Sequence, residues 1–134
     1  MASIRREILI DTSPEVVWDA VRDWTALHQR LAPGFVTDCH EEGGDRIVTF
    51  FNGAVVRERF ISCDDAARRL VWSIVDGPYA HHNGAAQVFD DQGGRARFVW
   101  TTDLLPDELG PRTAEMMDHG LGAVQATLGR RAVT

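Results

Sequence analysis

Glu58 is the side chain best placed to do chemistry in this sequence. It lies in a strand predicted over residues 54–62, where alternation sends successive side chains to opposite faces. Arg57 and Arg59 belong on the outer face, so Glu58 points inward together with Phe60. An inward carboxylate among apolar neighbours is costly unless it is paired, hydrogen-bonded or protonated. Glu58 is therefore either a pocket residue with a role in binding or catalysis, or half of a structural ion pair with an arginine across the sheet.

Two adjacent histidines, His81 and His82, are candidates to form an acid–base pair with Glu58. Histidine titrates near neutrality and burial can raise a glutamate toward the same range, so such a pair would serve an enolisable or hydroxylated substrate. Only one of the two histidines can face inward on a strand. Because a bulge could shift the register, two sets stay open: His81 with Asn83, or His82 with Gly84. Adjacent histidines also often occupy an exposed junction between a loop and a strand.

The elements that must position these residues begin with one strand and two short helices. Residues 3–10 alternate loosely and favour a strand. Ser13 and Pro14 are typical of an N-cap and a first helical position. A second short helical piece is predicted over residues 25–31.

Residues 35–105 predict an antiparallel meander of about six short strands separated by turn residues. Its clearest turn signal is Asn52-Gly53, a pair that suits a type I′ hairpin because both central residues need positive φ. The arginine-free faces of two later strands are the expected inward faces: Leu70, Trp72 and Ile74 in one, and Ala96, Phe98, Trp100, Thr102 and Leu104 in the other.

A long C-terminal helix is predicted over residues 111–131. Its apolar stripe consists of Met117, Leu121, Val124 and Leu128. Gly120, Gly122 and Gly129 lie inside this range, and each costs about 1 kcal/mol relative to alanine. Either close packing against the sheet or room for a ligand would account for them. The fold class is therefore α+β, with a curved antiparallel sheet of about seven strands wrapped around this helix.

Composition excludes several classes of function. The 134 residues suit one domain, taken as 1–134. The net charge of −6 argues against a nucleic-acid partner, and no apolar run approaches the roughly 20 residues of a membrane-spanning helix. The first 30 residues lack the order of a signal peptide, so we expect a cytoplasmic protein. Cys39 and Cys63 lack metal-ligand spacing, and no nucleotide motif is present, so neither a metal nor a cofactor is expected.

The order of elements and several motifs resemble the polyketide cyclase/dehydrase branch of the SRPBCC superfamily, which has the helix-grip fold of START-type lipid carriers. The motifs that carry the likeness are Ser-Pro-Glu-Val-Val-Trp at 13–18, Asn52-Gly53, Arg57 to Phe60, Asp64-Asp65, Arg68 to Val75, Asn83 and Trp100. The resemblance covers nearly the whole chain. It implies a deep apolar cavity between the sheet and the C-terminal helix.

The stretch from Glu58 to Asn83 is also similar to the plant abscisic acid receptors of this superfamily. That similarity implies pocket positions at Glu58, Trp72, Ile74, His81 and Ala86. Together with the inward faces and the helix stripe, the expected ligand-binding set is Glu58, Trp72, Ile74, His81, Asn83, Ala86, Phe98, Trp100, Met117, Gly120, Leu121 and Val124. The sequence departs from those receptors at Asn52-Gly53-Ala54, a tight hairpin where they have a longer mobile gate.

Two functions follow from these observations, and the sequence does not separate them. One is binding of a small, largely apolar molecule of polyketide, sterol or lipid type, with Glu58 as its main polar anchor. The other is a cyclase or dehydrase in which Glu58 acts with His81 or His82. A homodimer is left open as a further partner.

Overall fold

A computed structural model describes residues 1–129 and has a curved, seven-stranded antiparallel sheet at its centre. The strands are β1 (Ala2–Ile10), β2 (Val36–Glu42), β3 (Asp45–Phe50), β4 (Val55–Asp64), β5 (Arg69–Ile74), β6 (His81–Asp90) and β7 (Ala96–Leu105). Across the sheet they lie in the order β1, β7, β6, β5, β4, β3, β2. The meander is thus continuous from β2 to β7, and β1 pairs with β7. The predicted α+β arrangement is confirmed.

Helix α1 (Pro14–Val21) begins as the sequence predicts. The Ser13 hydroxyl accepts a 3.3 Å hydrogen bond from the Val16 N–H, and Pro14 takes the first helical position. The indole of Trp18 donates a 2.9 Å hydrogen bond to Asp65, which fixes α1 to the turn after β4. The second helical piece is a single π-helical turn over Leu27–Leu31.

Helix α2 (Gly110–Leu128) packs on the sheet after a short 3₁₀ turn at Asp107–Leu109. Gly129 follows the helix as its C-cap, so the expectation that it lies inside is wrong, and the predicted end at residue 131 lies outside the described residues. Met117, Leu121 and Val124 form the buried stripe. Within residues 1–129, neither helix combines the length and the apolar character of a membrane-crossing segment.

The hairpin between β3 and β4 forms where the sequence predicts it, but with a different turn. The Gly53 N–H donates to the Phe50 carbonyl at 2.9 Å, and the Asn52 side chain accepts from the Ala54 N–H at 3.1 Å. Gly53 has φ +86°, whereas Asn52 is not among the residues with positive φ. The type I′ assignment is therefore wrong, because the glycine alone supplies the left-handed conformation.

Strand β4 changes register along its length. Glu58 pairs with Ile74 of β5, and Phe60 pairs with Trp72, but a bulge follows between Phe60 and Ser62. Phe60 keeps 43% of its surface exposed and makes an edge-to-face contact with Trp24 at 5.4 Å between ring centroids. The strand thus buries Glu58 and leaves Phe60 at the margin of the interior.

Candidate functional site

A cavity of about 250 Å³ lies between the sheet and α2. Most of its lining side chains are apolar, and they come from both helices, the π-helical turn and strands β2 to β7. Polar groups enter at a few places, among them Arg46, Glu58, Tyr79, His82, Arg112 and Thr113. Space of this kind, with apolar walls and a few polar groups, is typical of small-molecule binding sites.

Nine of the expected ligand-binding residues line this cavity: Glu58, Trp72, Ile74, Ala86, Phe98, Trp100, Met117, Gly120 and Val124. They share one geometric property, which is that each lies on the sheet face turned toward α2 or on the α2 face turned toward the sheet. Period-2 and period-3.6 patterns indicated most of these positions, whereas Ala86 was implied by the family resemblance.

Three expected residues do not line the cavity. His81 is exposed and Asn83 is half-buried, and both alternate with inward residues of β6, so they belong on the outer face. The inward set is His82 with Gly84, the second of the two registers that the sequence left open. Leu121 is buried in the hydrophobic core instead of facing the cavity, because it lies one residue beyond Gly120 on α2.

His82 is held in the cavity wall by strand β5. Its ring Nδ1 accepts a 3.0 Å hydrogen bond from the Ile74 N–H, and its backbone carbonyl accepts from the Ser73 hydroxyl. The residue is 6% exposed, and burial, with a smaller effect from neighbouring His81, lowers the pKa of His82 to about 4. His82 is therefore neutral at physiological pH.

Glu58 is not an isolated carboxylate. The Nε of Arg46, directly opposite on β3, donates a 2.8 Å hydrogen bond to Glu58 Oε1. A second guanidinium nitrogen, Nη1, donates to the Trp24 carbonyl at 2.9 Å, and the guanidinium carbon lies 3.8 Å from the centroid of the Trp24 ring. Arg46 is 3% exposed and Glu58 5%. The structure therefore matches the ion-pair alternative for Glu58, while still placing the pair in the cavity wall.

Sequence reasoning missed Arg46. Its inward position is an exception to the expectation that arginine-bearing faces point outward. The signal was available, since Arg46 precedes Glu58 by 12 residues across a tight hairpin, a separation that can place two residues opposite each other.

Two glycines shape the cavity by admitting indole rings. A Cβ on Gly84 would lie 2.7 Å from Cε2 of Trp72, and a Cβ on Gly120 would lie 2.9 Å from Cζ3 of Trp100. The two indoles themselves lie 6.3 Å apart between ring centroids. Gly84 and Gly120 therefore serve close packing of the rings that form the wall, whereas Gly122 has no atom within 4 Å of its Cβ position.

A hydrogen bond joins the β5–β6 connection to α2. The Tyr79 hydroxyl lies 2.7 Å from Thr113 Oγ1, and the Tyr79 ring makes an edge contact with His82 at 5.1 Å between centroids. All three residues line the cavity. They give it a neutral polar patch on the same sheet face as the Arg46–Glu58 pair, with β5 between His82 on β6 and Glu58 on β4.

In the part of the chain that the structure describes, no group of three or more histidine, cysteine, aspartate or glutamate side chains could hold a metal ion. Burial raises the pKa of both thiols, of Cys39 and of Cys63, which keeps them protonated.

Solved structures share this fold at low sequence identity. The protein XoxI from Bacillus cereus has a TM-score of 0.85 at 21% identity, over 96% of this chain and 96% of that chain. A START superfamily protein from Mycobacterium smegmatis has a TM-score of 0.75 at 11% identity, over 94% and 96%. The di-domain ARO/CYC BexL from the BE-7585A biosynthetic pathway has a TM-score of 0.76 at 20% identity, over 95% of this chain and 46% of that chain. These identities establish the fold alone.

Among curated proteins, no sequence matches the chain significantly. Residues 1–132 do match one family, described as polyketide cyclase/dehydrase and lipid transport. The match spans nearly the whole chain and agrees with the sheet, the long C-terminal helix and the cavity between them. The chain therefore belongs to the polyketide cyclase/dehydrase and lipid transport family.

Proposed function

We propose that this protein binds a small, largely apolar molecule in the cavity between the sheet and α2. The observation that carries the proposal is the cavity itself, an apolar space of about 250 Å³ in which the few polar groups are already organised by the protein. Membership of a family that includes lipid transport supports the same function.

The cavity volume limits the size of the ligand. An engineered protein cavity of roughly 150 Å³ accepts benzene. By that measure about 250 Å³ suits a molecule of one to two fused rings. A tetracyclic sterol or a long acyl chain would need the walls to move apart.

A cyclase or dehydrase is the second candidate, and one observation favours it. Glu58 and His82 both line the cavity, and they belong to one row across the sheet, since Glu58 pairs with Ile74 and the Ile74 N–H bonds to His82. Binding has the stronger support. Glu58 already accepts a hydrogen bond from a guanidinium, and a histidine with a pKa of about 4 is a weak base at neutral pH.

Titration with naphthalene, followed by tryptophan fluorescence, tests the binding function. Wild-type protein is expected to bind it saturably, because Trp72 and Trp100 form part of the wall. Val124→Phe fills the cavity from α2 and should abolish binding. Ala126→Phe adds the same ring at an exposed position of the same helix and should leave binding unchanged. Absence of saturable binding, or equal binding by the two variants, would overturn the proposal.

A second measurement separates carrier from enzyme. Mass spectrometry of small molecules that copurify with the protein is expected to find an apolar compound that is unchanged after prolonged incubation. Conversion of that compound by the protein, lost in a His82→Phe variant, would instead support the acid–base enzyme.

A further inference from the structure

The tautomer of His82 is fixed by its bond to strand β5. An N–H group can only donate, so the Ile74 N–H at 3.0 Å requires Nδ1 of His82 to be the acceptor. A neutral imidazole carries one proton, which must then lie on Nε2. The pairing of β5 with β6 ends at Trp72 and Gly84. Beyond that pair the Ile74 N–H donates to the ring of His82 instead of to a backbone carbonyl of β6. The orientation of the His82 ring is thus fixed by the hydrogen bond at the end of the β5–β6 pairing.

The proton on Nε2 has no acceptor among the residues that the structure describes. Within residues 1–129 no hydrogen bond joins Nε2 to another group, and Nε2 is not one of the fully enclosed polar atoms without a partner. His82 lines the cavity, so this donor is open to it. A donor that faces an apolar cavity without a protein partner can gain a hydrogen bond from a ligand acceptor.

The interior surroundings of this donor are electrically neutral. The positive charge of Arg46 is offset by Glu58 at 2.8 Å, and the polar groups beside His82 are the hydroxyls of Tyr79 and Thr113. Arg112 also lines the cavity, but it is exposed to solvent. A charged ligand group placed beside His82 would lose hydration without meeting an opposite free charge among these buried groups. The complementary ligand is therefore neutral and carries a hydrogen-bond acceptor.

We propose that the Nε2–H of His82 binds the carbonyl oxygen of a neutral, apolar ring compound, and that His82 thereby selects ketones over hydrocarbons of the same shape. This inference rests on the proposed binding function. It assigns His82 the role of a hydrogen-bond donor, which differs from the acid–base role considered for it from the sequence.

The cavity contains other N–H groups that could compete for the role. Trp72 and Trp100 both line it, and the indole Nε1 of Trp100 has no partner although it is fully enclosed. The enclosed position removes the Trp100 N–H from the open volume. Substitution of His82 distinguishes its donor from the indoles, because the indoles stay in place.

The test compares two ligands of matched shape, 1-tetralone and tetralin, by fluorescence or calorimetric titration. The quantity measured is the ratio of their affinities, which cancels the shared apolar contacts. His82→Phe is expected to lower the preference for tetralone by about fivefold, the effect of one neutral hydrogen bond. His81→Phe places the same change on the exposed neighbour and should leave the ratio unchanged. His82→Gln, whose amide can accept from Ile74 and donate to the ligand, should keep most of the preference.

The outcomes separate this inference from the proposed function. If wild type binds neither compound, the binding function fails and the role of His82 with it. If both compounds bind but the ratio is the same in wild type and His82→Phe, only the donor role is overturned.

Nitrogen-15 NMR of the wild-type imidazole provides a measurement that does not depend on the variants folding. It is expected to show a proton on Nε2 whose resonance moves with tetralone and not with tetralin. A proton found on Nδ1 would overturn the assignment.

Discussion

Arg46 and Glu58 face each other across the β3–β4 pair, with 2.8 Å between Nε and Oε1 and with both side chains almost fully removed from solvent. Trp24 covers the guanidinium on one side and accepts from it through its carbonyl. An ion pair removed from water in this way repays its desolvation only while both partners are present. Glu58 therefore has a structural role, because it compensates the charge of Arg46 in the cavity wall.

Glu58→Gln is therefore expected to destabilise the protein. Glutamine still accepts a hydrogen bond but leaves the buried charge of Arg46 uncompensated, which lowers the free energy of unfolding by about 3–5 kcal/mol. Urea denaturation at pH 7 measures the change. Glu42→Gln is the matched control, because Glu42 forms an exposed pair with Arg57 at 3.1 Å and should change stability by less than about 1 kcal/mol. A Glu58→Gln protein as stable as wild type would show that the pair contributes little.

A double substitution checks the cause of that loss. Replacing Arg46 and Glu58 together, as Arg46→Met with Glu58→Leu, removes both charges and should recover much of the stability lost in either single variant. A double variant less stable than both single variants would contradict the explanation by an uncompensated charge.

Apolar periodicity was sufficient to predict the sheet, the long helix and most of the wall positions, because each depends on which face of an element is apolar; Ala86 was implied by the family resemblance. They could not predict Arg46 as an inward residue, since its burial depends on Glu58 across the strand and on the Trp24 ring. They also left His81 and His82 undecided. That choice depends on where the pairing of β5 with β6 ends, which is a property of two strands together.

Gly84→Ala is expected to disturb the cavity wall. The new Cβ would lie 2.7 Å from Trp72, so the indole must move, and overpacking of this kind costs about 1–3 kcal/mol. Thermal denaturation and the fluorescence of the naphthalene complex measure the two effects. Gly122→Ala is the control, because its Cβ meets nothing within 4 Å and alanine stabilises an exposed helix by up to about 1 kcal/mol. Equal stability of the two variants would mean that the Trp72 ring can shift away from the new Cβ at no cost in stability.

Tyr79→Phe is expected to speed ligand release. It removes the 2.7 Å hydrogen bond to Thr113 that joins the β5–β6 connection to α2, while keeping the ring beside His82. The loss of one hydrogen bond lowers stability by about 1 kcal/mol. Stopped-flow displacement of naphthalene measures the dissociation rate. An unchanged rate would show that this connection does not restrain the ligand.

Acid is expected to destabilise the protein through His82 in a defined pH range. The pKa of His82 is about 4 in the folded state, lowered mainly by burial, against 6.5 for the unfolded residue. Well above pH 6.5 the imidazole of His82 is neutral in both the folded and the unfolded protein, so it does not lower the free energy of unfolding there. Between pH 6.5 and about 4 only the unfolded state takes up the proton, so stability falls by on the order of 3 kcal/mol, and below that range the loss levels off.

The groups that face His82 set the control for this acid-stability prediction. They are the Ile74 N–H, the Tyr79 ring and, on the adjacent position of its own strand, His81. Unfolding free energies of wild type and His82→Gln, measured from pH 8 to pH 4, are expected to converge as the pH falls, because glutamine has no proton to gain. His81→Gln should follow the wild-type curve closely, since His81 is exposed. A constant difference between wild type and His82→Gln across this range would contradict the burial of a neutral imidazole at this position.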